Sequence, residues 1–148
     1  MVRYAKKKQP SVKVDTTTNA SMLTPELSED IIDAGLDKIY FSIQAMTAEG
    51  YTKIAGVKTD FEKIFKNVIY FCQHRKNCEV YIKVPDIGIT ESEREEFFQM
   101  FDKYADEMFV ENIFPAWPDF DLDGLKRNDG IGYYGRPIRD TPVNVCAL

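Results

Sequence analysis

The chain has 148 residues, of which 44% are hydrophobic and 13% aromatic, and it contains only eight Gly and seven Pro. This composition predicts one domain with a packed core and excludes a disordered or low-complexity chain. Nineteen basic and twenty-four acidic side chains give a net charge of −5 at pH 7, which argues against non-specific nucleic-acid binding, because such binding depends on Lys and Arg. The apolar runs are too short to span a membrane, and the first ten residues lack the apolar stretch of a secretory signal.

Cysteine usage predicts a reducing compartment. The chain has three cysteines, Cys72, Cys78 and Cys146, and one histidine, His74. An odd count without a secretory signal is more typical of a cytoplasmic protein than of a disulfide framework. The spacing of Cys72 and Cys78 matches no common zinc site, and we expect Cys72 to pack in the core because it falls on the apolar face of a predicted helix.

The first half of the chain predicts a strand, a helix, a second strand and a short second helix. Ser11–Thr16 alternates in polarity and is rich in β-branched residues, which is typical of a strand. Thr24 is a suitable N-cap, and Gly35 provides a left-handed stop for the helix between them. The next strand is predicted over Lys38–Ile43. The apolar stripe of the first helix is formed by Leu27, Ile31 and Ile32, and the short second helix is bounded by Thr47 and Gly56.

The second half repeats the same alternation. Thr59 and Glu62 stand at the spacing of a capping box and predict the start of a long helix. A strand is predicted over Glu79–Val84, a helix capped by a second box over Thr90–Glu93, and a fourth strand over Met108–Phe114. The apolar face of the long helix comprises Phe61, Ile64, Phe65, Val68, Ile69 and Cys72.

The order of elements is βαβαβαβ, which predicts an α/β fold with a parallel sheet covered by helices. Four strands and three crossovers suffice for a small open sheet or for part of a TIM-like β/α barrel. In either case the chemistry is expected at the carboxyl ends of the strands. After Trp117 the sequence becomes rich in Pro, Asp, Gly and Asn, and it predicts loops.

Polar side chains stand at all four predicted strand ends. Taken singly, each is explained by a capped turn or an ordinary end of a strand, whereas four on one edge favour a site. The sequence contains no Gly-rich phosphate loop, no G-x-G-x-x-G, no G-x-S-x-G and no H-E-x-x-H, so a doubly wound nucleotide-binding sheet lacks its usual signature. The candidate residues are Asn19, Ser42, Gln44, Lys83, Asp86, Glu111 and Asn112, with Trp117 just beyond the fourth strand.

Three segments give the chain a resemblance to a known family. Thr18–Leu23 has the sequence T-N-A-S-M-L, Ala34–Ile43 leads into the second strand, and Tyr51–Gly56 has the sequence Y-T-K-I-A-G. In this order they resemble consecutive landmarks of the radical S-adenosylmethionine (radical SAM) superfamily. The resemblance covers about residues 11–114, and it implies that the four strands are the third to sixth of a partial TIM-like barrel. Val143–Leu148 resembles the start of a SPASM-type auxiliary cluster domain.

The resemblance implies S-adenosylmethionine and a 4Fe-4S cluster as cofactors of the full-length parent, which generates a 5′-deoxyadenosyl radical to abstract hydrogen from an unknown substrate. The family's C-x-x-x-C-x-x-C loop and first two strands are absent from this sequence. We therefore expect an internal fragment or truncated member that is not catalytically competent alone and holds neither cofactor stably. Residues 1–114 are expected to form the partial barrel, and residues 115–148 a loop-rich segment leading to a SPASM-like domain.

The resemblance also implies roles for single residues, although it assigns no catalytic residue to this chain. Asn19, Ser42 and Gln44 are expected to contact S-adenosylmethionine, and Cys146 an auxiliary cluster. Gln44 and Ala55 stand where many members have Asp and Arg, both of which are associated with that cofactor. A small-molecule or peptide substrate is expected to face Lys83, Glu111, Asn112 and Trp117.

Two further expectations concern partners. The first strand of a half-barrel has lost its neighbour, so we expect the isolated chain to associate with itself. The alternative function is a cluster-free α/β binding or interaction module. In neither case is a nucleic acid or a membrane expected as a partner.

Overall fold

The structure is a computed structural model that describes residues 1–56, 58–87, 89–111, 131–132 and 136–137. Five helices are present in this part of the chain: α1 (Val2–Lys8), α2 (Pro25–Asp33), α3 (Ala48–Ala55), α4 (Phe61–His74) and α5 (Glu91–Phe101). The main sheet contains β1 (Asp15–Thr18), β2 (Lys38–Ser42), β3 (Glu79–Pro85) and β4 (Glu107–Glu111). A separate antiparallel pair is formed by β5 (Ile131–Gly132) and β6 (Arg136–Pro137).

The four strands of the main sheet are parallel and follow one another in the order β1-β2-β3-β4. This confirms the predicted parallel α/β fold. Because the order of these four described strands never reverses, the part of the sheet that the structure describes has no topological switch point of the kind that a doubly wound nucleotide-binding fold uses. A sheet whose neighbours follow chain order is the arrangement found in β/α barrels.

The helices pack against one face of this sheet. Alternate residues of β2 and β3 point to that face and are fully buried in a core shared with Phe71 of α4 and Phe97 of α5. The opposite face, which we call the inner face, bears Tyr40, Ser42 and Lys83. The residues that β2 and β3 send into the helix side are Ile39, Phe41, Val80, Ile82 and Val84. Polar groups therefore gather on the inner face while the apolar core lies under the helices.

The first strand begins four residues later than the sequence predicts. Ser11 lies in a turn, and β1 runs from Asp15 to Thr18. The cause is Asp37, whose carboxylate accepts a hydrogen bond from the Val14 N–H at 2.7 Å, while its backbone N–H donates to the Val14 carbonyl at 3.0 Å. These bonds occupy the backbone just before β1, so the ladder starts only at Asp15.

The N-terminal residues form a helix that the sequence analysis did not predict. The Lys6 side chain of α1 is only 21% exposed and donates to Asp37 Oδ2 at 2.5 Å and to the Val12 carbonyl at 2.7 Å. These contacts fasten α1 to the amino end of the sheet.

Helix caps were predicted well, with one exception. The side chains of Thr24, Thr47 and Thr90 each accept a backbone hydrogen bond at the first turn of α2, α3 and α5. Helix α4, however, is capped by Asp60, whose Oδ1 accepts from the Lys63 N–H at 3.1 Å, and not by Thr59. Asp is a better N-cap than Thr, so Asp60 caps the helix although the capping-box spacing favours Thr59.

Several burial predictions were also tested. Cys72 is buried in the core as predicted, whereas Leu27 is 42% exposed although the helical pattern placed it on the apolar stripe. Gly35 has a φ of +84°, the left-handed conformation expected at the end of α2. No helix in the described residues is both long and apolar enough to cross a bilayer.

Candidate functional site

The predicted site residues that the structure describes lie at the carboxyl ends of the four strands. Asn19 follows β1 directly, Ser42 is the last residue of β2, and Glu111 is the last residue of β4. In the register of the sheet Ser42 stands beside Lys83. We call Asn19, Ser42, Gln44, Lys83 and Glu111 together the carboxyl rim. The predicted residues Asn112, Trp117 and Cys146 lie outside the described residues.

Ser42 and Gln44 form one hydrogen-bonded unit. Gln44 Nε2 donates to Ser42 Oγ at 3.0 Å and to the Ser42 carbonyl at 3.3 Å. Because a carbonyl oxygen can only accept, this bond fixes which end of the Gln44 amide faces Ser42. Gln44 Oε1 is thereby left as an acceptor at the rim, and the Ser42 hydroxyl proton remains able to donate.

Helix α3 is fastened to the same unit through Tyr51, which the sequence analysis did not single out. The Gln44 backbone N–H donates to the Tyr51 hydroxyl oxygen at 3.1 Å. Tyr51 is only 2% exposed, and burial raises the pKa of its hydroxyl. A neutral, buried Tyr51 therefore holds the backbone that carries Gln44.

Asn19 begins a tight turn after β1. Its Oδ1 accepts hydrogen bonds from the Ser21 N–H at 3.1 Å and from Ser21 Oγ at 2.8 Å. The capped turn that the sequence left open as an ordinary explanation is thus present. The turn consumes the amide oxygen, and within the described residues Asn19 Nδ2 has no acceptor. Asn19 therefore presents a hydrogen-bond donor at the rim, whereas Gln44 presents an acceptor.

Lys83 and Glu111 form an ion pair at the other side of the rim. Lys83 Nζ lies 2.7 Å from Glu111 Oε1, and the two side chains are 9% and 25% exposed. Asp86, also buried, donates its backbone N–H to the Glu111 carbonyl at 2.9 Å. The structure therefore brings together Lys83 and Glu111, which the sequence placed on separate strand ends.

Charges at the amino ends of the strands are arranged differently. Two cavities of about 370 and 400 Å³ lie there, and both are lined by Asp37 and Asn77. Their five cations are paired: Lys6 and Lys13 with Asp37, Lys38 with Glu79, Arg75 with Asp106 and Lys76 with Asp33. The Glu79 carboxylate raises the pKa of Lys38, while Lys6 and the Val14 N–H lower the pKa of Asp37. None of the five cations that line the cavities is therefore without an acidic partner.

The described residues do not fit an iron-sulfur cluster. Among them, no three His, Cys, Asp or Glu side chains are grouped to hold a metal ion. Cys72 and Cys78 are buried, and desolvation raises the pKa of each thiol to about 12. Cluster ligands are thiolates, so neither cysteine is suited to that role. The neutral donors and acceptors of the rim do match a ribose diol or an amino-acid head group.

A buried amide of α4 contacts the turn that carries Asn19, and the sequence analysis missed it. Asn67 Nδ2 donates to the Ala20 carbonyl at 2.8 Å and so contacts the residue after Asn19. The periodic pattern of α4 counted only apolar positions and passed over Asn67. A polar residue between Ile64 and Phe71, on the buried side, was the signal that could have found it.

Comparison with known proteins agrees with this geometry. The model of the Radical SAM superfamily matches residues 1–101 of the chain. An uncharacterized protein of Methanocaldococcus jannaschii is 26% identical over 124 residues, which cover 84% of this chain and 41% of that protein. The chain thus spans less than half the length of this curated relative.

Solved structures show the same fold. Streptococcus suis SuiB bound to S-adenosylmethionine superimposes with a TM-score of 0.61 at 17% identity, covering 80% of this chain and 27% of SuiB. SuiB bound to its precursor peptide SuiA gives a TM-score of 0.59 at 15% identity, with 74% and 24% covered. TYW1 with a lysine-pyruvate adduct gives 0.55 at 12% identity, with 80% and 37% covered. At these identities the likeness concerns the fold alone.

Proposed function

The chain belongs to the radical SAM superfamily, and from this premise we propose that its carboxyl rim is the part of a radical SAM enzyme that holds S-adenosylmethionine. One observation carries the proposal. The hydrogen bonds within the rim fix Asn19 as a donor and Gln44 as an acceptor at the ends of adjacent parallel strands. A ligand with hydroxyl groups and a carboxylate needs both kinds of partner.

Each rim residue has a distinct task in this proposal. Gln44 Oε1 accepts a hydrogen bond from a ribose hydroxyl, with Ser42 Oγ beside it as a second partner. Asn19 Nδ2 donates to the carboxylate of the amino-acid head group. All three groups are neutral, so they orient the ligand by hydrogen bonding and add no charge next to the sulfonium. Tyr51 keeps the Gln44 backbone in place.

S-adenosylmethionine, when reduced by a 4Fe-4S cluster, supplies a 5′-deoxyadenosyl radical that abstracts hydrogen from a substrate. We place the thiolates for that cluster outside the described residues, in the full-length parent. The chain is then a fragment that is not catalytically competent alone. The chain covers 41% of the length of the curated relative and 24–37% of the length of the solved ones, which supports this view.

We further propose that the substrate meets Lys83 and Glu111 on the inner face, with Asn112 and Trp117 nearby. A charged pair in a mostly buried position favours a polar small molecule or a peptide backbone over a purely apolar substrate. The structure of SuiB with its precursor peptide supports keeping peptides among the candidates. The substrate pocket is proposed for the full-length parent.

Two further proposals concern the role of Cys146 and the cellular location. We propose that Cys146 is the first ligand of a SPASM-type auxiliary cluster, as its sequence context implies. We also propose a cytoplasmic location, which the free thiols of Cys72 and Cys78 support, because buried reduced thiols are typical of a reducing compartment.

The proposal is tested by nuclear magnetic resonance titration of the ¹⁵N-labelled chain with S-adenosylmethionine. Without a cluster to chelate the head group we expect weak binding, with a Kd of about 1 mM, equivalent to about −4 kcal/mol. The largest shifts are expected at the amides of Asn19, Ser42 and Gln44. Asn19→Ala and Gln44→Ala are each expected to weaken binding by about threefold to tenfold, the value of one hydrogen bond.

The matched control is Asn77→Ala. It removes an exposed amide at the opposite end of the sheet, where Asn77 lines both cavities. We expect it to leave the affinity unchanged. Shifts confined to the amino end, or no shifts at the rim up to about 5 mM ligand, would overturn the proposal and favour the alternative of a cluster-free α/β binding module.

A further inference from the structure

We infer that Asn67 of α4 is a positioning residue that holds the turn carrying Asn19 in its binding geometry. The part of this inference that concerns the ligand rests on the function proposed above. The part that concerns the turn is independent of it. Asn67 touches no predicted ligand group, and it acts through the backbone of the residue next to Asn19.

The Asn67 side chain has an unusual position for an amide. Asn67 is 8% exposed and lies on the buried side of α4, between Ile64 and Phe71. A buried amide without a partner is costly, so a polar residue here needs a specific acceptor. The acceptor is the Ala20 carbonyl, 2.8 Å from Asn67 Nδ2 and 47 residues away in sequence. This bond joins α4, the helix that precedes β3, to the turn that follows β1.

The turn after β1 needs a hydrogen bond from outside because its backbone is strained. Ala20 has a φ of +60°, a left-handed conformation that costs a residue with a Cβ atom more than it costs Gly. The turn is closed by local bonds from the Ala20 N–H to Thr18 Oγ1 at 3.1 Å and from the Leu23 N–H to the Ala20 carbonyl at 3.2 Å. Asn67 supplies the bond from outside the turn. A strained backbone persists only when its surroundings hold it in place.

The bond from Asn67 also affects the direction of the Asn19 side chain. The Oδ1 atom of Asn19 is bonded to Ser21, so the direction of its Nδ2 donor follows the backbone of residues 19–21. If the Ala20 carbonyl turns away from Asn67, the peptide units on both sides of Ala20 rotate with it. The donor of Asn19 then leaves its place at the rim. Asn67 therefore determines the direction of a group that it does not touch.

The test compares Asn67→Ala and Asn67→Asp with the control Val68→Ala. Val68 is the next residue of α4 and is fully buried, so its truncation destabilises the same helix without removing a bond to the turn. Asp has the size of Asn and, measured at a pH well above the pKa of its carboxyl group, is a carboxylate that cannot donate to the Ala20 carbonyl. The primary measurement is amide hydrogen exchange at Ala20 and Leu23, referred to the global stability of each variant.

We expect exchange at these two amides to accelerate by about threefold to tenfold in both Asn67 variants, the value of one buried hydrogen bond. We expect it to remain within about twofold in Val68→Ala. Equal acceleration in all three variants would overturn the inference, because Asn67 would then act only through general stability. No acceleration in Asn67→Asp would overturn it too, because the hydrogen bond would then be dispensable.

The effect of Asn67 on ligand binding is measured as the affinity of each variant for S-adenosylmethionine. Asn67→Ala is expected to weaken binding about as much as Asn19→Ala, and the double variant little more than either, because both act on one contact. Independent, additive losses would overturn the positioning role. If the unmodified chain shows no binding at the rim, the proposed function fails, while the exchange comparison still decides whether Asn67 holds the turn.

Discussion

Replacing Lys83 by Met tests how the inner face tolerates its buried charges. Lys83→Met keeps most of the volume of the aliphatic chain and removes the ammonium group that lies 2.7 Å from Glu111 Oε1. The Glu111 carboxylate is then left without its cation in a position where its side chain is only 25% exposed. The substitution therefore converts a partly buried ion pair into a partly buried lone charge.

The magnitude follows from the burial of the partner that remains. Removing one member of a fully buried pair costs about 3–5 kcal/mol. Glu111 keeps a quarter of its exposure, so water recovers part of that cost, and we expect a loss of about 2–3 kcal/mol in the free energy of unfolding. For a chain of this size that corresponds to a fall in Tm of about 5–10 °C.

The assay is thermal and urea unfolding of Lys83→Met, Glu111→Leu and the double variant. The double variant is expected to lie within about 1 kcal/mol of the unmodified chain, because it leaves no lone charge. Glu111→Leu leaves the more buried Lys83 as a lone charge and is expected to cost at least as much as Lys83→Met, so the cycle should give a coupling energy of at least about 3 kcal/mol. A loss below about 0.5 kcal/mol in Lys83→Met, or a double variant as unstable as the sum of the single ones, would refute the reasoning.

Three other predictions concern separate parts of the fold. Lys6 and the Val14 N–H lower the pKa of Asp37. The contribution of Asp37 to stability is therefore present above about pH 4 and is lost as the pH falls further. Asp37→Asn should flatten the dependence of the urea midpoint on pH between about 2 and 5. Thr90→Ala should cost about 1 kcal/mol in thermal unfolding, because it removes the capping box of α5, whereas the exposed control Ser92→Ala should cost little. Within the described sheet β1 pairs only with β2, so its other edge is open to a second chain. Sedimentation at tens of micromolar should therefore reveal self-association. A 17.1 kDa monomer at every concentration would contradict this.

The sequence was sufficient to predict the elements whose information is local. Period-two and helical patterns, threonine caps and the glycine at position 35 each act within a few residues, and the strands and helices that they predict are present. The parallel sheet followed from the alternation of those elements. The adjacency of the strand ends followed from the sheet, which is why Asn19 and Ser42 could be placed on one edge.

What the sequence could not predict depends on contacts between distant residues. Asp37 fixes the start of β1 by its bond to Val14, which spans 23 residues. Asn67 meets Ala20 across 47 residues, and the pairing of Lys83 with Glu111 spans 28. Propensity and periodicity contain no term for such contacts. The donor or acceptor character of each rim amide likewise became known only from its partner in the structure.

The neutral character of Asn19, Ser42 and Gln44 has a consequence for how this fold can change. Salt links such as Lys38–Glu79 and Arg75–Asp106 join strands and helices at the amino ends, whereas Ser42 and Gln44 at the other end contribute single neutral bonds. Substitutions at Asn19, Ser42 or Gln44 therefore leave the ion pairs at the amino ends intact, whereas loss of Lys83 or Glu111 at the same edge removes a mostly buried ion pair. New ligand preferences can be tried at Asn19 or Gln44 one residue at a time, each at small risk to folding. A scaffold divided in this way can diversify its chemistry while its architecture stays fixed.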